Sequence, residues 1–434
     1  MLDIKYIINN TAEVKKAVQN KNVTLDVDEL LRIHKERNEI LQQIEQLNQQ
    51  RKQNAELAGQ TKGKPSDEAI AAGKKIKVEL EKLNPTFNEL EVRYQEMMQS
   101  VPNIYSADTP IGPDESANKV IRSVGSKPHF DFKPKEHWEL GNNLKLINTE
   151  KAAEITGARF VYLMGDLVLL QQAIITLTYT TVTNETTLQT IANKNGLKVS
   201  TKPFKLVIPP VFIRPEVMQR MGRLEPREER YHIAQDDLYL IGSAEHTLGP
   251  LHMNETIAEE SLPIRYAGFS SAFRREAGSY GQDTKGILRL HQFDKIELES
   301  FTTAEQGEAE QNFIVAIQEY LLQQLELPYQ VVQISTGDMG KPDYRQIDME
   351  TWMPGQNSHR ETHTSDYMTS YQALRLQTKV KRTSGETEYV HMNDATAFAL
   401  GRTIIAIMEN YQQADGRIKV PKVLQPLMGK EIIG

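Results

Sequence analysis

From Ile76 to Met97, apolar side chains recur in alternating steps of four and three residues: Ile76, Leu80, Leu83, Phe87, Leu90, Tyr94 and Met97. An unbroken series of this kind makes a continuous stripe only on an α-helix, and the stripe must be covered by another helix. A partner precedes it. Ile33, Ile40 and Leu47 repeat every seven residues, Leu30 and Ile44 fill the alternate seam, and Arg37 and Arg51 interrupt it. Between the two series, Gly59–Pro65 breaks the helical pattern. Residues of about 26–98 are therefore predicted to form an antiparallel coiled-coil hairpin. Each arm of about 33 residues would reach roughly 50 Å at 1.5 Å per residue, with Pro85 expected to kink the second arm. Ahead of it, Ile4, Tyr6, Ile7 and Ile8 form a short apolar segment, and Asn10 and Glu13 have capping-box spacing for a short helix.

The end of the hairpin is basic. Residues 51–77 hold Arg51, Lys52, Lys62, Lys64, Lys74, Lys75 and Lys77 against Glu56, Asp67 and Glu68. Such a patch suits a phosphate backbone, although an ordinary charged face or a dimerisation device has the same composition. Nothing global adds to this, because the net charge of the 434-residue chain is −7. That length suggests about two domains. The chain has no cysteine, which excludes disulfides and thiolate metal sites. No apolar run approaches the roughly 20 residues of a membrane span, and the N-terminus lacks a signal or transit pattern. A cytoplasmic address is expected.

Residues 101–135 carry five prolines and little periodicity, and read as a linker. From 136 to 434 the chain alternates non-local strands and helices without a βαβ rhythm, so the fold class is α+β on a largely antiparallel sheet. Strands are expected at Lys205–Ile208, Leu238–Ile241, Gln330–Ile334 and 346–353. Helices are expected at Leu167–Thr178 (capped by Asp166), Ala304–Leu325 and Ala397–Tyr411, with Tyr179–Pro203 a local insertion.

Within this domain the stretch from Phe273 to Glu299, FRREAGSYGQDTKGILRLHQFDKIELE, concentrates chemistry. Arg274 and Glu276 stand two apart, so on an extended strand they share a face. After a Gly-bearing loop, Arg289, His291, Phe293, Lys295 and Glu297 share one parity. A hairpin of this kind can offer cations, an aromatic plane and carboxylates to one ligand; arginine donates bidentately to phosphate or carboxylate. FRREAG followed by RLHQFDKIE resembles motif 2 of class II aminoacyl-tRNA synthetases, and within that class the seryl-tRNA synthetases. Thr336–Gly340 (TGDMG), Trp352–Glu361 (WMPGQ…RE), and Gly401–Gln412 (GRTIIAIMENYQ) followed by VPKVLQPLMG resemble the same family, in the family's order along essentially the whole chain.

The resemblance implies an Mg²⁺-dependent homodimer that activates L-serine with ATP and transfers it to tRNA(Ser), with tRNA(Sec) as a further acceptor; the coiled coil would grip the tRNA. In this reading Arg274 takes the α-phosphate and the amino-acid carboxylate, and Glu276 accepts from the adenine amino group. Phe293 stacks on the ring, Arg289 joins the ATP site, and Arg402 holds the γ-phosphate. Glu361 and Thr364 would ligate Mg²⁺. Ser243, Glu245, Glu297, Asp394 and Thr396 line the serine pocket. Lys205–Ile208 with Pro209 and Pro210 resembles motif 1, the dimer element. Three departures fall on the amino-acid and metal side: Asp394 stands where the family pattern has Asn, HTLGPLH follows Glu245, and THTSDYMTSYQ follows Glu361. His246, His252, His363 and His391 lack metal-site spacing, so no zinc is expected. The rivals are a relative that loads a carrier protein, which would dispense with the arm, and a non-catalytic tRNA-binding paralogue, which would not need Arg274, Glu276, Glu361 and Arg402 together.

Overall fold

The computed structural model describes residues 2–60, 66–277 and 285–434, without the side chains of 58–60. The chain forms two compact units, one ending at Pro102 and the other running from Asn103 to Gly434.

In the first unit, helices α1 (Ile4–Asn9) and α2 (Thr11–Asn20) precede α3 (Val27–Gln60) and α4 (Asp67–Ser100), each of the last two 34 residues long. The seam between α3 and α4 buries Ile44, Ile76 and Leu80, flanked by Ile40, Leu47, Leu83 and Phe87. Arg37, the expected polar interruption, lies within the seam: its guanidinium sits 5.5 Å from the Phe87 ring and 5.2 Å from Tyr94, and it pairs with Glu91. A long side chain can thus fill a seam position when its stem packs on aromatic rings and its charge meets a carboxylate. The expected capping box is absent. Asn10 makes no side-chain cap, and Glu13 instead accepts from the Tyr6 hydroxyl at 2.7 Å.

The second unit is built on an eight-stranded sheet. Its strands are β1 (Lys119–Val124), β2 (Lys205–Val207), β3 (Ile264–Phe273), β4 (Gln292–Thr302), β5 (Tyr329–Gln333), β6 (Arg345–Met353), β7 (Ser358–Thr369) and β8 (His391–Ala399). They lie in the order β1-β5-β6-β7-β8-β4-β3-β2. All neighbours are antiparallel except the β2–β3 pair. The stretch expected to be only a linker therefore supplies an edge strand; its Val120, Val124 and neighbours pair with β5 despite the surrounding prolines.

Alternation divides this sheet chemically. Ile296 and Leu298 of β4, Ala395 and Ala397 of β8 and Ile347 and Met349 of β6 enter the main hydrophobic core. That core is shared with α5 (Asp166–Val182), α6 (Glu185–Lys194), α7 (Gly307–Gln324) and α8 (Leu400–Asn410). The intervening residues, Glu297, Glu299, Asp394, Thr396, Asp366 and Thr364, point to the other face. Asp166 is the first residue of α5 rather than its cap; Gly165, with φ 55°, holds the cap position, and the Asp166 carboxylate takes Lys430 at 2.6 Å. The expected insertion 179–203 forms the end of α5 and all of α6.

Candidate active site

The nucleotide-side residues converge on one cleft, with about 600 Å³ of open space, lined among others by Arg274, Glu276, Arg289, Phe293, Glu361 and Arg402. Strand β3 ends at Phe273, one residue before Arg274. The expectation of two side chains leaving one extended strand is thus corrected. Glu276 has a left-handed backbone, φ 52°, and this turn aims its carboxylate at Arg289 Nη1, 2.6 Å away. The Arg274 guanidinium lies 5.3 Å from the Phe293 ring centroid, and its Nε donates to Gly242 O at 3.1 Å. Arg402, near the start of α8, meets Glu361 Oε1 at 3.1 Å and donates to the Glu361 carbonyl at 2.8 Å.

One wall, Ile287–Leu290, is anchored from behind by residues that sequence reading missed. The Ile287 N–H donates to His137 Nε2 at 3.1 Å, leaving Nδ1 as the protonated nitrogen facing Glu409 Oε1 at 3.3 Å. Gly286 makes this possible: its φ is 72°, and a Cβ there would fall 2.1 Å from His137 Nε2.

The amino-acid-side residues are brought together on the polar face beside this cleft. Ser243 Oγ donates to Glu297 Oε1 at 2.7 Å, and Thr396 Oγ1 donates to the same oxygen at 3.4 Å. Lys295, which lines the nucleotide cleft as well, pairs closely with Glu297 and reaches Ser243 Oγ at 3.3 Å. Burial raises the Glu297 carboxyl against the pull of Lys295. Burial also raises Glu245, but nearby cations, Arg223 foremost, outweigh it and bring that carboxyl down to about 2. Asp394 is buried in register between Glu299 on β4 and Asp366 on β7. Its Oδ2 receives Arg223 Nη2 at 3.3 Å. Arg223 was not foreseen. It lies in an aperiodic loop, 171 residues from Asp394, and carries no sequence signal of its own.

A β-bulge shapes the other side. Glu361 pairs with Glu350 and His363 with Met349, so Thr362 is an extra residue in β7. Glu361 and Thr364, three apart, thereby share the face that carries Asp348 and Glu350. Thr364 stands opposite Asp348, not in the nucleotide wall. The buried Asp348 carboxyl is pushed well up by its burial and by Glu361. This concentration of hard oxygen atoms and excess negative charge fits a divalent cation. Behind it, Gln318 of α7 donates to the carbonyls of Thr364 and Thr396, both at 2.8 Å.

On the hairpin, Arg51, Lys52, Lys74, Lys75 and Lys77 are all exposed; Lys77 has a loose ion pair with Glu81 at 3.7 Å. Lys62 and Lys64 lie outside the described residues.

Residues 229–411 match the family model described as the tRNA synthetase class II core domain (G, H, P, S and T), and residues 1–105 match the seryl-tRNA synthetase N-terminal domain. The chain is 37% identical over 440 residues to a serine–tRNA ligase of Petrotoga mobilis, covering 100% of both chains. The chain belongs to the seryl-tRNA synthetases. A serine–tRNA ligase of Nitrosopumilus maritimus is likewise 37% identical over 435 residues, with 99% of both chains covered. The crystal structure of seryl-tRNA synthetase from Pyrococcus horikoshii complexed with ATP superposes with a TM-score of 0.86 at 34% identity, covering 100% of this chain and 99% of that one. A class II synthetase of this family is an ATP-dependent ligase. Among the described residues no helix is long and apolar enough to cross a membrane.

Proposed function

We propose that this seryl-tRNA synthetase divides its reaction between the two ends of the cleft. L-serine and ATP give seryl-adenylate and pyrophosphate, and the seryl group then passes to the 3′ end of tRNA(Ser). The observation that supports this is the convergence of Arg274, Glu276, Phe293 and Arg402 on one cleft, bordered by the Ser243–Glu297–Thr396 cluster. Arg274 neutralises the α-phosphate and aligns the serine carboxylate, Glu276 and Phe293 hold adenine, Arg289 braces Glu276, and Arg402 takes the γ-phosphate. Glu245 and Glu297 receive the substrate amino group, and Ser243 and Thr396 bound the side-chain pocket with Asp394. A pocket that pairs a hydroxyl rejects alanine, because buried partners would be left unsatisfied.

Glu361 and Thr364, with Asp348 close by, would hold Mg²⁺, which when bound offsets phosphate charge. Magnesium takes much of its coordination from phosphate and water, so one or two protein oxygens would serve. The exposed cations of α3 and α4 would grip the tRNA backbone. Dimerisation would use the β2 edge, where Leu206 and Ile208 are 41% and 84% exposed. An enzyme of this kind works in the cytoplasm, with its tRNA and ATP.

The test is amino-acid-dependent exchange of pyrophosphate into ATP, with serine, threonine, alanine and glycine offered separately; exchange with serine alone is expected. Exchange with another amino acid would discard the serine assignment and keep the ligase. Removing residues 26–98 should abolish charging of tRNA(Ser) while exchange stays measurable. Equal loss of both would overturn the recruiting role of the arm. Charging of tRNA(Sec) is checked in the same assay.

A further inference from the structure

Arg223 stands in a ring of carboxylates drawn from four parts of the fold. Its Nε lies 3.1 Å from Glu245 Oε1, and its Nη2 lies 3.3 Å from Asp394 Oδ2, 3.7 Å from Asp343 Oδ1 and 3.9 Å from Asp366 Oδ2. The arginine side chain is 17% exposed, while those of Asp394 and Asp343 are 1% and 2% exposed. The TGDMG segment is shaped around this ring. A Cβ on Gly340 would lie 2.2 Å from Asp343 Oδ2 and 3.5 Å from Arg223 Nη1, so a larger residue there would displace the Asp343 carboxylate from its place beside Arg223. Without a cation at this point, buried carboxylates would face one another directly, a configuration that costs far more than a missing surface pair.

We propose that Arg223 is a positioning residue of the amino-acid pocket: it holds Glu245 in place and forms a matched pair with Asp394, which is what allows an acid rather than an amide at that position. This rests on the serine-activation reading above. Arg223 touches no reacting atom in this scheme. It acts through Glu245, which the same guanidinium orients at the head of the short helix Glu245–Leu248. Among the described residues, Asp394 takes its one ion pair from the same group. Neutralising one member of a matched pair strands the other; neutralising both removes that pair's share of the conflict and leaves Glu245, Asp343 and Asp366.

The experiment compares Arg223→Gln, Asp394→Asn and the double variant in pyrophosphate exchange, with KM for serine and for ATP measured separately. Arg223→Gln is expected to raise the serine KM by about tenfold or more and to leave the ATP KM within about twofold. Asp394→Asn alone should also raise the serine KM, by less than Arg223→Gln does, because Arg223 still faces Glu245, Asp343 and Asp366. The double variant should recover much of the Arg223→Gln loss, falling well short of the product of the singles. Parallel rises in both KM values, or singles that multiply in the double, would overturn the proposal. If Arg223→Gln does not fold, the double still decides, because removal of the stranded acid should restore folding; a double variant that also fails to fold would overturn it. Serine-dependent exchange by the unaltered enzyme is read first, so failure of the serine assignment is told apart from failure of the Arg223–Asp394 pairing.

Discussion

At the nucleotide end of the cleft the charges meet in short ion pairs: Glu276 faces Arg289 at 2.6 Å, and Arg402 faces Glu361 at 3.1 Å. At the amino-acid end, one arginine faces four carboxylates, and Glu299, 0% exposed, has no hydrogen-bond partner for either carboxyl oxygen among the described residues. The first arrangement is a set of separable ion pairs, partly open to water. The second is a shared charge balance inside the protein, where changing any one group alters the state of the rest. Phosphate charge can be met by independent cations, whereas discrimination of a small amino acid requires buried polar groups that must be neutralised collectively.

The largest expected effect lies at the nucleotide end. Arg402→Ala removes a cation placed by the start of α8, and losing one such electrostatic contact costs about 10²–10³ in rate. Serine-dependent exchange should fall by that factor while the thermal midpoint changes little. A fall of less than about tenfold would mean that Arg402 does not meet transferring phosphate, and the separable-pair description of this end would fail with it.

What could be read from the chain follows the same division. The α3–α4 seam and the α+β class were legible because helical and strand periodicities are local. The Arg274–Glu297 hairpin was legible as a hairpin because its charged and aromatic side chains lie within one short stretch, even though the strand stops before Arg274 and a turn sets Glu276. Strand β8 was not legible. HMNDATAFA mixes small and polar residues because its two faces serve different environments: Ala395 and Ala397 enter the core, while Asp394 and Thr396 face the site. Nor was Arg223, whose partners come from distant segments. The bulge at Thr362 shows only in strand register.

Glu299→Gln probes the amino-acid end and should act on stability. Burial, then Asp394, Glu245 and Glu297, raise the Glu299 carboxyl well above its ordinary range, so it stays protonated in the fold after the unfolded chain has released its proton. Below the unfolded value of about 4.3 both states hold the proton and nothing is lost. As pH rises above it, the folded state binds the extra proton and stability declines until the folded pKa is reached. The amide should therefore be stabilising relative to the native residue above about pH 4.3, increasingly so as the pH rises, and least so at pH 4. Denaturant unfolding at pH 4, 6 and 8 checks this. A variant that is less stable at every pH would show that Glu299 is ionised and paired in the native enzyme.

The smallest effect is expected for Glu276→Gln. The amide oxygen can still accept from an adenine amino group, so what disappears is the charge facing Arg289 across 2.6 Å. That pair is partly exposed, with side chains 28% and 14% accessible, and a net hydrogen-bond contribution of about 0.5–1.5 kcal/mol corresponds to a two- to tenfold rise in the KM for ATP. The serine KM should not move, because neither Glu276 nor Arg289 touches the Arg223 ring. A matching rise in the serine KM would show that the two ends share one charge balance after all. A rise well beyond tenfold in the ATP KM alone would show that the carboxylate charge itself reads the nucleotide, and would keep the ends separate.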